Sequence, residues 1–250
     1  MKKLFILFFF LTIPALVIAQ ASGGQIKRNK LANLNKSHKN NKNGNNSIIY
    51  KISGSYNGYD YVDLGLSVKW ATCNVGSKVP EARGNHYAWG ETTPKNSYTW
   101  ETYKWCNGSS QLLTKYNYDS KCGVVDNKLT LDLDDDAARV NWGGPWRTPT
   151  LEEWQELLND CAWTWTKKNG VQGYCVRGKN GNSIFLPVTG YRNGSNLEEI
   201  NQGNYWSSTL HIYNVNLGVA KDVGLNSGYR GTGDAGFARC IGQCLRPVCP

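Results

Sequence analysis

Hydrophobic positions first fall into step at YVDLGLSVKWATCNVG, Tyr61 to Gly76, where Val62, Leu64, Leu66, Val68 and Trp70 alternate with polar residues or glycine. A period of two puts these side chains on one face of a strand, with Gly65 as the break in it. The loop-rich stretch YAWGETTPKNSYTWETYKWC follows, and its Trp89, Trp100 and Trp105 are expected to pack in the core. The period then changes. LDLDDDAARVNW places acids ahead of Ala137 and Ala138, where carboxylates favour the positive end of a helix. In RTPTLEEWQELL, Thr150 is an N-cap and Glu153 completes a capping box. Leu151, Trp154, Leu157 and Leu158 share one helical face that must bury against a sheet. This helix is predicted to stop near Asn159–Cys161. From Trp163 onward short strands alternate with turns. Asn-Gly at 169–170 and at 180–181 is the strongest short hairpin signal, and SIFLPVTGYR and GNYWSS read as core segments. A strand, two helices and then several strands with long loops predict an α+β fold, two helices packed on short antiparallel sheets.

The N-terminal pattern is of another kind. Lys2 and Lys3 precede an apolar run, Leu4 to Ile18, with small residues at Ala19 and Ala21. This describes a secretory signal peptide over residues 1–21, cleaved after Ala19 or Ala21, too short and wrongly flanked for a stable membrane span. No cysteine precedes Cys73, so a processed N-terminal cysteine cannot carry lipid, and a lipoprotein is not expected. The chain is expected to be exported, at the cell surface, extracellular or periplasmic, and to meet a membrane only through a partner.

Charge changes the picture less than its total suggests. The net charge is +9, but Lys2 and Lys3 leave with the signal peptide, and residues 22–51 hold seven further bases and no acid. From Ile52 onward 19 basic residues balance 19 acidic ones. The basicity therefore belongs to a segment of Asn, Lys, Ser and Gly too polar to fold alone, read as a disordered linker, and nucleic acid is not an expected partner. Residues 52–250 make one domain, rich enough in Trp and Tyr to build a core without a metal. Eight cysteines in an exported chain suggest disulfides. Cys240, Cys244 and Cys249 lack the paired spacing of a zinc site, and no metal or cofactor is expected.

Several motifs together carry a family likeness. YVDLGLSVKWATCNVG, YAWGETTPK, DDAARVNWGGPWRTPTLEEWQELL, NGNSIFLPVTGYR, YWSSTL and RPVCP, in this order, resemble the Fibrobacter succinogenes major paralogous domain family, over about Tyr61 to Pro250. The resemblance implies a C-type-lectin-like fold, shared with formylglycine-generating enzymes and with the variable proteins of diversity-generating retroelements. It also implies that the first and last strands lie together, which would place Cys73 near Cys249 as a disulfide. Calcium-dependent sugar binding does not follow, because Glu-Pro-Asn, Gln-Pro-Asp and Trp-Asn-Asp signatures are absent. The acids Asp132, Asp134, Asp135 and Asp136 are read as helix-start residues facing water rather than as a calcium site.

No catalytic constellation stands out. His38 lies in the linker, His211 near the C-terminal segment, and His86 alone sits in a motif-bearing loop. Cys240 and Cys244 offer the only link to a formylglycine-generating type of enzyme, a less favoured alternative. The C-terminal segment is more informative. Across the 33 residues Leu210 to Gly242, the types Glu, Lys, Gln, Met and Trp occur once, as Lys221, against 39 in the 188 residues from Ser22 to Thr209. A codon AAC or AAT with its adenines substituted freely cannot encode those five types. Adenine-directed substitution is how the retroelements vary the C-terminal segment of their target proteins, so HIYNV and GYRGTGDAGFARCIG read as diversified, between fixed positions that include Ala220, Val223 and Leu225. Lys221 fits this poorly.

The expectation is a secreted, non-enzymatic recognition module whose segment 210–245 binds a protein or a surface glycan. Tyr213, Tyr229 and Phe237 are the expected aromatic anchors. Asp222, Asp234, Arg230 and Arg239 would supply charge, and His211 and Asn214 rim hydrogen bonds. Ile212, Thr232 and Ala235 would add contacts, while Gly224, Gly231, Gly233 and Gly236 would leave room for a ligand. The alternative is a fixed structural or adhesive subunit of the cell envelope.

Overall fold

The computed structural model describes residues 51–212 and 218–250. The expected signal peptide, all of the basic linker except Lys51, and the expected contacts Tyr213 and Asn214 lie outside the described residues. In chain order the elements are β1 (Gly54–Tyr56), β2 (Tyr59–Val62), β3 (Lys69–Ala71), α1 (Ala137–Trp142), α2 (Leu151–Asp160), β4 (Ala162–Lys168), β5 (Val171–Arg177) and β6 (Ser183–Pro187). There follow β7 (Tyr191–Asn193), β8 (Asn196–Glu198), β9 (Gly203–Leu210), β10 (Val219–Asn226), β11 (Tyr229–Thr232), β12 (Phe237–Ala238) and β13 (Val248–Cys249).

The first alternation holds as burial but not as one strand. Val62, Leu64, Val68 and Trp70 are all buried, yet residues 63–68 leave the ladder. Gly65 has φ of +75°, and its N–H donates to Asp63 Oδ1, a local turn that divides β2 from β3. The helix starts are as the residues dictate. Asp136 caps α1, accepting from the N–H groups of Ala138 and Arg139, and Thr150 and Glu153 form the reciprocal capping box of α2. Trp154 and Leu157 are fully buried and Leu151 and Leu158 half-buried, so the predicted apolar face is the packed one. Asn169 and Gly170 both take positive φ and join β4 to β5 as a two-residue hairpin. At Asn180-Gly181 the connection is longer, since Arg177 pairs with Ser183.

Every named strand pair is antiparallel. One sheet runs β1-β2-β3-β13, a second β4-β5-β6, and β7 with β8 forms a ribbon. In the remaining sheet β10 is central, with β9 on one side and β11 and β12 on the other. With two α-helices among the described residues, the molecule is mixed α+β, mostly antiparallel sheet. Helix α2 lies against β9, β10 and β11. One core cluster joins Trp70, Trp154, Tyr205, Val223 and Leu225. A second gathers Trp89, Trp142, Trp146, Trp206 and Ala220. A β-bulge between Ala220 and Asp222 lets Ala220 and Val223, of unlike parity, both enter the core.

The expected Cys73–Cys249 disulfide is not formed; both remain thiols. The end strands do meet, but Cys249 pairs with Lys69, while the amides of Ala71 and Val75 reach the carbonyls of Pro247 and Leu245. Cys73 thus lies four residues from the position facing Cys249, about 13 Å along an extended chain. A disulfide spans at most about 7 Å between Cα atoms. The Cys73 thiol instead donates to Ser77 O at 3.2 Å.

The closing RPV is bound into this frame. Arg246 is wholly buried with no carboxylate partner among the described residues: Nε donates to Asn74 Oδ1, Nη1 to the carbonyls of Ala71 and Thr72, and Nη2 to Phe185 O. One guanidinium fork thereby ties the end of β3 to β6.

Candidate ligand-binding face

The cleft of interest is a gap in a β-ladder. On one side of β10, Val223 to Asn226 pair with β11, and Val219 and Ala220 pair with β12. Lys221 and Asp222 have no strand partner on that side, because Gly233 to Gly236 swing out between β11 and β12. Beside them opens a cleft of about 290 Å³, lined by Asp222, Gly224, Tyr229, the 233–236 turn and Phe237, with Gln202 and Asn204 from the β9 side. Register explains the company. Asn204, Gly224 and Gly231 stand in one row across β9, β10 and β11, and Asp222 is two residues along β10 on the same face.

The turn is braced from below. His211 is buried, not at a rim, and its Nε2 lies 2.5 Å from Asp234 O. Lys221 Nζ donates to the carbonyls of Asp234, at 3.2 Å, and Gly233, at 3.5 Å. This gives Lys221, the misfit in the segment's composition, a scaffold role.

The expected contacts divide. Tyr229, at 48 % exposure, and Asp234 and Ala235 stand exposed, with Phe237 half-buried and its ring 5.0 Å from that of Tyr191. Arg230 is exposed but turns from the cleft, with its guanidinium 5.8 Å from the Trp163 ring. With Thr232 it lines a shallow trough of about 620 Å³ against Gln155, Leu158 and Asn159 of α2. Ile212 is exposed and its carbonyl accepts from Tyr118 Oη at 2.5 Å.

Besides His211, three assignments change. Arg239 is fully buried: Nε donates to Gly218 O, Nη1 donates to the carbonyls of Lys115 and Tyr116, and the group lies 5.8 Å from the rings of both Trp89 and Tyr103. It is a structural cation, unable to meet a ligand. Asp222 is not a surface charge either, at 4 % exposure; Gln243 Nε2 donates to its Oδ2 at 3.3 Å. Burial pushes its carboxyl up to about 6, against the lowering effect of that hydrogen bond. Two of the four glycines, finally, make room for the chain itself. A Cβ on Gly231 would strike the Tyr229 hydroxyl, and one on Gly236 would strike Ala220 O and His211. Only at Gly224 and Gly233 is the nearest atom 3.5 Å or more away.

Asn204, Gln202 and Gln243 were not foreseen, since their approach to Asp222 depends on strand register and on the return of the chain after β12. Two of them carry unpaired acceptors: Asn204 Oδ1 and Gln243 Oε1 are buried with no hydrogen-bond partner among the described residues.

Elsewhere the reactive groups are engaged. Asp135 and Asp136 are buried rather than facing water. Asp135 accepts from Lys115 and the Tyr116 hydroxyl, and Asp136 from the Thr148 N–H and hydroxyl as well as from α1. Among the described residues no three of His, Cys, Asp and Glu come together as metal ligands. Burial pushes the thiols of Cys240 and Cys244 up to about 12, the reverse of what a nucleophilic thiolate needs. No helix among the described residues is long and apolar enough to cross a membrane. Compared with known protein families, with characterised proteins and with solved structures, the chain matches none.

Proposed function

We propose that this chain is an exported, non-enzymatic recognition module of the C-type-lectin-like kind, with its C-terminal segment as the binding face. One observation carries the reading. A run of exposed side chains, Tyr229, Asp234 and Ala235 with half-buried Phe237, surrounds a cleft, while the strands beneath are buried on their other face. A rigid frame presenting a tolerant loop is how binding surfaces are commonly built. The aromatic pair supplies contact area at low conformational-entropy cost. Diversification of the segment belongs to the same proposal: its exposed positions use residues that adenine substitution can reach, and Lys221 is a brace, as a fixed position would be.

Two measurements test it. A ligand captured from envelope or host-surface fractions is expected to bind the Tyr213→Ala, Tyr229→Ala, Phe237→Ala triple variant at least about tenfold more weakly, a loss of more than about 1 kcal/mol. Unchanged affinity moves the binding face elsewhere. In the gene, the exposed codons of 210–242 are expected to end in C or T, near a template copy rich in adenine and a reverse transcriptase. Mixed A and G third bases at the glycine codons would end the diversification reading and leave a fixed envelope subunit.

A further inference from the structure

The cleft beside β10 has a chemistry more specific than exposure. Its floor is the Asp222 carboxylate, buried and in no ion pair among the described residues; its Oδ1 lies on the Gly233 side, where a Cβ would come no closer than 3.8 Å. Asn204, 4 % exposed, lines the same cleft with an unpaired Oδ1, and the unpaired Oε1 of Gln243 belongs to the group that holds Asp222. Each buried acceptor left without a donor costs about 1–3 kcal/mol, so this cluster calls for donors. A second acid, Asp234, stands on the turn, and no lining residue is basic. Lys221, the neighbouring base, is spent on the turn's carbonyls. Tyr229 and Phe237 are aromatic walls, whose faces attract a cation.

Acceptors, negative charge and aromatic rings all favour one guest. We propose that the cleft takes the cationic end of a basic side chain, lysine ammonium or arginine guanidinium, from a protein ligand. The inference rests on the recognition reading above and names its chemistry. A neutral sugar would satisfy the acceptors through its hydroxyls, the two carboxylates included, but brings no charge to pair with the two acids. A cation uses the acceptors, the charge and the rings at once.

The test is amide NMR of the isotope-labelled chain, titrated with Nα-acetyl-lysine methylamide and Nα-acetyl-arginine methylamide. Nα-acetyl-norleucine methylamide, a methyl galactoside and choline serve as comparators. Saturable shifts at Gly224 and Gly233–Phe237 are expected with one or both basic probes, with millimolar Kd of the order a single contact supports. The neutral probes should bind at least about tenfold more weakly, and Asp222→Asn, checked for an intact spectrum, should weaken the basic probe by a similar factor. Absence of shifts with both basic probes up to about 50 mM overturns the proposal. So does equal binding of norleucine or galactoside, which needs no variant to read, or tighter binding of choline. If these titrations fail while the triple-alanine variant still loses its ligand, only the cation is wrong. If that variant keeps its ligand, the binding face itself is wrong.

Discussion

Residues 227–237 and residues 239–249 are neighbouring stretches of similar length, and they have been put to opposite uses. In the first, Ser227 to Arg230, Asp234 and Ala235 stand exposed and the rest are half-buried. In the second every residue is buried. Composition does not separate them, since both mix glycine, arginine and apolar residues. What separates them is where their polar groups go. Arg230 meets one aromatic ring at the surface, whereas Arg239 and Arg246 are enclosed and aim donors at backbone carbonyls and Asn74, with only Arg239 Nη2 of the two groups buried and unpartnered among the described residues. A segment can vary when the fold asks nothing of its side chains, and here the demand ends within two residues, between Phe237 and Arg239.

The largest way to break this contrast is Arg246→Met. It leaves Asn74 Oδ1 and the carbonyls of Ala71, Thr72 and Phe185 without their donor in a sealed interior. The expected loss is on the order of 4 kcal/mol or more, read by urea unfolding or as failure to accumulate folded protein. Arg230→Met should stay within about 0.5 kcal/mol of wild type. Equal effects would show that burial of the closing stretch is not what holds it. Asp136→Ala comes next, at about 2–4 kcal/mol, because it removes both the cap of α1 and the acceptor of Thr148.

Titration sharpens the contrast at two buried groups of opposite sign. His86 belongs to the frame; burial lowers its pKa from 6.5 to about 4. Asp222 belongs to the proposed binding face; burial raises its pKa from 3.8 to about 6. Between about pH 6.5 and 4 the unfolded chain protonates this histidine while the folded one resists, so its contribution, full above pH 6.5, is lost as pH falls. For Asp222 the folded state binds the proton more readily. Its contribution is full below about pH 4 and is lost as pH rises through 6. Each is worth about 2–3 kcal/mol, and over the shared window they largely cancel. His86→Gln should therefore make the protein gain stability on acidification relative to wild type, and Asp222→Asn should make it lose stability more steeply. Thermal melts from pH 7 to 4 that run parallel for all three proteins would remove both assignments.

How much of this was legible in the residues follows the same division. The caps at Asp136 and Thr150, the Asn169-Gly170 hairpin and the buried face of α2 depend on neighbours three or four residues away, and the sequence states them. The exposure of Tyr229 and Asp234, and the half-burial of Phe237 beside them, could be anticipated because exposure of a glycine-rich turn is also local. Arg239 could not, since nothing near it in the chain shows that Gly218, Lys115 and Tyr116 will surround it with carbonyls. Asn204 and Gln243 were hidden for a related reason. Asn204 reaches the cleft only through its pairing with Gly224, and Gln243 only through the chain's return past Tyr87. The Cys73–Cys249 pairing failed on register: adjacency of two strands says nothing of which residues stand level.

The smallest expected effect is the one the proposed binding face most needs. Tyr229 is nearly half exposed, and its ring lies over Gly224 and Gly231 rather than in the core. Truncation to alanine therefore uncovers two glycines and removes little buried area, and the unfolding free energy should change by no more than about 0.5 kcal/mol. Asp234→Ser with Ala235→Ser should do no more, because the bonds that hold the turn use the carbonyls of Gly233 and Asp234, which any residue supplies. Lys221→Ala is the control: it removes a brace, and should loosen residues 233–236 in amide hydrogen exchange while leaving β13 protected. If the two exposed variants cost as much as that brace, the turn is part of the frame, and the boundary between the exposed segment and the segment that holds the fold lies nearer β10.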